Sequence, residues 1–113
     1  MTSGGSAHGR FARAIAQRNL AGAEIAAKEM GGLSLADALD YLALLADLRP
    51  GRAQPAALRW HGRLELEAPT LTLVESQLAL AALAALCAGD REALGFLRRL
   101  LRRVRPTLLP RTA

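Results

Sequence analysis

Two short strings, LSLAD at Leu33 to Asp37 and LTLVE at Leu71 to Glu75, stand 38 residues apart and frame the whole chain. A Ser or Thr followed three residues later by an acid lets hydroxyl and carboxylate satisfy free backbone N–H groups at a helix start. Helices are therefore expected to begin near Ser34 and Thr72. Each start follows a break, Gly31-Gly32 in one case and Pro69 in the other, at which a preceding helix ends. The same offset lays Leu33, Leu35, Leu42, Leu45 and Leu48 on Leu71, Leu73, Leu80, Leu83 and Leu86, with Leu20 on Leu58 and Glu29 on Glu67 upstream. The spacing predicts a helical hairpin used twice.

Residue choice agrees. Apolar residues make up 51% of the 113-residue chain and are mostly Ala and Leu, with only two Ile, two Val and four aromatic side chains. Strong helix formers at the expense of β-branched residues argue for an all-α chain of one domain, long enough to bury a core without staples. Helices are expected over about 9–30, 34–48, 53–67, 72–88 and 90–105, between a flexible leader (1–8) and a tail (106–113). Asn19 and Gly22 are the points at which the first would bend or split. The string RPGRAQP, Arg49 to Pro55, reads as the turn between hairpins at about 9–48 and 53–88, and Gly89-Asp90 as a helix stop followed by an N-cap.

A period of this length lies between those of tetratricopeptide and HEAT-type repeats. The expected fold is a short helical-repeat (tetratricopeptide/HEAT-like) stack of two helical hairpins plus a C-terminal helix. PTL at Pro106 to Leu108 echoes PTL at Pro69 to Leu71, so the last helix looks like the first half of a third unit. Without its partner it would leave apolar surface uncovered and favour a homo-oligomer, unless it simply caps the stack. The helix from Thr72 to Ala88 is apolar nearly all round after Glu75 and Gln77, and is expected to be buried on most sides.

The net charge of +5 is unevenly placed: six arginines and no acid follow Leu97, whereas the first 97 residues carry nine bases and ten acids. On a helical wheel Arg98, Arg99, Arg102, Arg103 and Arg105 lie opposite a stripe of Ala93, Leu97, Leu100, Leu101 and Val104. Such a basic amphipathic helix suits nucleic-acid phosphates or an acidic protein surface, and its plainest reading is a solvated face whose arginines meet the negative end of the helix dipole. Few aromatics are available for base stacking. A membrane surface is disfavoured because the core needs the apolar stripe, and the uncharged run Leu78 to Ala88 is too short to span a bilayer. On the helix from Ser34, Asp37, Asp40 and Asp47 share a side with Tyr41, Leu44 and Leu48, a candidate protein-contact stripe unless another helix covers it. A sharper expectation is that this stripe in one copy receives the basic helix of another.

Chemistry-bearing motifs are few. Cys87, the one cysteine, lies in an apolar run and reads as a small buried hydrophobe. With no disulfide and no signal-peptide core in MTSGGSAHGR, a cytoplasmic setting is expected. In RWHGRLELE, Arg59 to Glu67, Arg63 and Glu67 form a surface ladder, Trp60 is an anchor between hairpins, and His61 and Glu65 are spaced for a shared proton or metal but lack further ligands. There is no Ser-His-Asp logic and no Gly-rich loop between strand and helix. No cofactor or metal is expected.

The strings RNLAGAEIAAKEMGGLSLADALDYLALLA, AALRWHGRLELE and LTLVESQLALAALAAL resemble a group of small Ala/Leu/Arg-rich helical proteins from high-GC actinobacteria, over roughly residues 10 to 90. That resemblance implies an all-helical fold and a bacterial cytosolic setting, and it transfers no functional residue. The sequence thus points to a non-catalytic helical-repeat module for protein–protein interaction that self-associates. The alternative is a small nucleic-acid-binding protein using the basic helix.

Overall fold

The computed structural model describes residues 5–107; the remainder of the leader and tail lies outside them. Every regular element is helical: α1 (Ala7–Ala16), α2 (Leu20–Met30), α3 (Leu35–Leu48), α4 (Pro50–Glu67), α5 (Leu73–Cys87) and α6 (Glu92–Val104). The expected helix at 9–30 is broken into α1 and α2. Arg18 sits in the left-handed region at φ 58°, and the Asn19 side chain accepts a hydrogen bond from the Gly22 N–H at 3.0 Å, which starts a new helix. A Cβ at Gly22 would lie 2.6 Å from the Asn19 amide nitrogen, so the cap requires glycine there.

Both cap signals are realised. Ser34 accepts from the Asp37 N–H at 3.1 Å, and Thr72 with Glu75 forms the reciprocal box, with bonds of 3.1 and 2.9 Å. At α6 the N-cap position falls on Arg91, one residue later than expected, and Asp90 accepts from the Glu92 N–H just ahead of the helix.

RPGRAQP differs from expectation. It is helical from Pro50 onward, leaving Arg49 alone as the joint between α3 and α4. Pro50 occupies the first turn, where its missing N–H costs nothing and its fixed φ suits a helix. Pro55 forfeits one backbone bond, and buried Ala53 and Ala57 on either side hold the segment against the core.

Successive helices pack on one another, and α3 also touches α1, α5 and α6. Helices α3 to α6 therefore close around a single core that includes Leu39, Leu42, Trp60, Leu64, Leu83 and Leu97. Helices α1 and α2 form their own hairpin around Phe11, Ala14, Ala23 and Ala26, against which Leu33 and Tyr41 pack. The last helix is not an uncovered half unit: Ala93, Leu94, Leu97, Leu100, Leu101 and Val104 are all buried, as a capping helix requires. Among the described residues no helix is long and apolar enough to cross a membrane.

Candidate protein-contact surface

Arg98, Arg99, Arg102, Arg103 and Arg105 are all exposed, opposite the buried stripe of α6. Two of them are engaged within the chain. Arg98 reaches Asp40 of α3 at 2.9 Å, and Arg103 pairs with Glu75 of α5 and donates to the Thr70 carbonyl at 2.9 Å. Arg99, Arg102 and Arg105 make no ion pair among the described residues.

The acidic stripe of α3 is likewise used inside the molecule. Asp37 lies 3.3 Å from His8, Asp40 holds Arg98, and Asp47 takes both Arg18, at 3.2 Å, and Arg91. Leu44 is buried, which removes it from any contact surface, and Tyr41 is half-buried under α2. The structure therefore corrects the idea of an open stripe: His8 of α1, Arg18 of the α1–α2 joint, Arg91 just before α6 and Arg98 of α6 face these acids from within one chain.

Tyr41 donates to Glu24 of α2 at 2.6 Å, and Arg52 of α4 reaches the same carboxylate at 3.0 Å. The Tyr41 hydrogen bond, then that of Arg52, hold Glu24 below its ordinary value of 4.5. Burial, then the Glu24 carboxylate, push Tyr41 up to about 12. A carboxylate with a depressed folded pKa contributes stability that is present above its unfolded value and lost as pH falls through the folded one. The stability gap between wild type and Glu24→Gln, read from urea midpoints, is expected to be open at pH 7 and to close below about pH 4. A gap independent of pH would mean that the carboxylate charge contributes nothing.

His61, Glu65 and Ser76 come together. His61 Nε2 is 3.0 Å from both the Ser76 carbonyl oxygen and Oγ, and Ser76 Oγ donates to Glu65 at 2.6 Å. A carbonyl can only accept, so the contact with the Ser76 carbonyl is met by the tautomer in which Nε2 is the donor. Ser76 is also only 6% exposed. The trio is a polar clamp between α4 and α5. Among the described residues no group of His, Cys, Asp or Glu is arranged to hold a metal ion. Cys87 is half-buried, and burial pushes its thiol up, away from the reactive thiolate.

The largest departure from expectation is α5. Only Ser76, Ala79, Leu83 and Leu86 are buried, and its outer side is open: Leu73 is 76% exposed, Val74 62%, Leu78 49% and Leu80 43%. Helices α4 and α6 flank α5 and α3 lies against it, yet no element covers the outer side. Leu58 and Leu66 of α4 are exposed as well. Leu58 joins Gln54, Leu80, Ala84 and Cys87 in a groove of about 470 Å³ between the two helices. From Ser76 to Gly89 the chain carries no charge. The helical wheel shows that α5 is apolar on all sides; what it omits is that a four-helix core has only one inner side to offer it.

Fold and surface together define an all-helical protein with several exposed apolar side chains along α5 and the neighbouring part of α4. Comparison with protein-family models, with curated proteins and with solved structures finds no match to the chain.

Proposed function

We propose that the protein is a non-catalytic helical interaction module that self-associates through the outer face of α5 and the neighbouring part of α4. The observation that carries this reading is the exposure of Leu73, Val74, Leu78 and Leu80 on one helix, continued by Leu58 across the groove. Large apolar side chains exposed in such number on one helix mark a contact site, because leaving them in water forgoes about 25 cal/mol per Å². A second copy is the partner that fits. Each copy carries +5, so two copies approach best where neither presents charge, and the stretch from Ser76 to Gly89 is such a place. Ala81, Ala84 and Ala88, all exposed, allow two such helices close approach.

Light scattering on the eluting protein tests this. Wild type at about 50 µM is expected to run as a dimer or larger and to stay so in 1 M salt, since apolar burial resists screening. The Leu78→Glu/Leu80→Glu double variant is expected to be monomeric with unchanged helical circular dichroism. A monomeric wild type, or an associated double variant, would refute the reading.

A second reading, phosphate binding, rests on Arg99, Arg102 and Arg105, which have no ion partner among the described residues. It predicts nucleic acid that co-purifies in low salt, visible as excess absorbance at 260 nm, and that high salt strips away.

A further inference from the structure

Where α6 closes against α3, the seam between them is not filled. The first two turns of α3 and the last two of α6 enclose a cleft of about 400 Å³. Leu35, Leu39 and Leu101 form its apolar floor; Arg98, Arg102, Asp40 and Glu67 stand around it. Charge pairing at this rim is uneven. Asp40 is taken by Arg98 at 2.9 Å, and Glu67 by Arg63 through bonds of 2.8 and 3.3 Å. Arg102 remains as the charged lining residue with no ion partner among the described residues.

We propose that this cleft binds a small amphipathic monocarboxylate, with its alkyl body on Leu35, Leu39 and Leu101 and its carboxylate on Arg102. An apolar floor beneath a single unpaired cation matches a ligand with one negative end and a hydrocarbon body. A planar guanidinium offers the carboxylate two parallel N–H donors, which a neutral head group cannot exploit equally. The positive end of the α3 dipole, where Ser34, Leu35 and Ala36 line the cleft, adds to the same sign. One free arginine suits a monoanion; a phosphate dianion would call for more donors. The groove between α4 and α5 shares no residue with this cleft and has no charged lining side chain, so it gives no reason to prefer an acid over an alcohol. The proposal is independent of self-association.

Octanoate, octanol and octyltrimethylammonium are the probes, each titrated into ¹⁵N-labelled full-length protein and followed by amide shifts. Octanoate is expected to give saturable shifts centred on Leu35, Ala36, Leu101 and Arg102, in the high micromolar to millimolar range. Arg102→Gln is expected to weaken it about tenfold, and Arg99→Gln, outside the cleft, to leave it within about twofold. Trp60 supplies a second readout, since its indole N–H bonds the Leu35 carbonyl at 2.9 Å and it is the one tryptophan. Absence of saturable shifts, equal binding of octanol, or undiminished binding to Arg102→Gln would each overturn the proposal. So would shifts confined to Gln54, Leu58, Leu80 and Ala84, which would put the alkyl chain in the other groove.

Discussion

Trp60→Ala is expected to cost about 3–5 kcal/mol, a large share of the stability of a domain this size. Trp60 is 3% exposed and belongs to the core shared by α3 to α6. Its ring fills space that alanine cannot, and its Nε1 donates to the Leu35 carbonyl at 2.9 Å, which ties α4 to the start of α3. Trp60→Phe keeps most of the apolar ring and removes the donor, so it should cost less, about 1–2 kcal/mol. Urea unfolding followed by circular dichroism separates the two contributions without relying on the fluorophore being removed. Equal losses for Ala and Phe would show that the hydrogen bond, and not the ring, holds this junction.

The Arg63 to Glu67 ladder was readable from RWHGRLELE because it depends on positions within one helix, and the burial of Trp60 was readable because it lies on the apolar stripe of that helix. The helix starts at Ser34 and Thr72 were readable for the same reason: a cap is a local hydrogen bond between residues three apart. What the sequence misread required tertiary information. RPGRAQP carries two prolines and a glycine and looks like a turn, yet Pro50 falls in the first helical turn, where proline costs no hydrogen bond, and buried Ala53 and Ala57 hold the rest. Asp40 and Arg98 stand 58 residues apart, and no helical wheel reveals that closure of the bundle brings them together. The candidate surface was misplaced by the same logic. The charged stripe of α3 has the pattern of a contact face, but His8 and three in-chain arginines face it. The outer side of α5 reads as buried on a helical wheel because the pattern of one helix does not say how many neighbours the fold supplies.

The second large effect sets two leucines against each other. Leu97→Ala on α6 is expected to cost about 2–5 kcal/mol, whereas Leu80→Ala on α5 should change the stability of the isolated monomer by no more than about 0.5 kcal/mol. The substitutions are chemically identical; the surroundings are not. Leu97 is 0% exposed beneath the helix that closes the core against α3, so truncation leaves a cavity lined by neighbours that can only partly collapse. Leu80 is 43% exposed and gives up contacts mainly on the side facing Leu58 and Ala84. Sequence pattern alone does not separate them, since Leu97 lies on the apolar stripe of α6 and Leu80 on a helix that is apolar nearly all round. Urea midpoints measured below the association concentration decide the matter. As protein concentration rises, Leu80→Ala should begin to lose stability relative to wild type, because association adds to the apparent stability of whatever self-associates. A Leu80→Ala deficit that is the same at all concentrations would place Leu80 in the monomer's own packing and remove it from any interface.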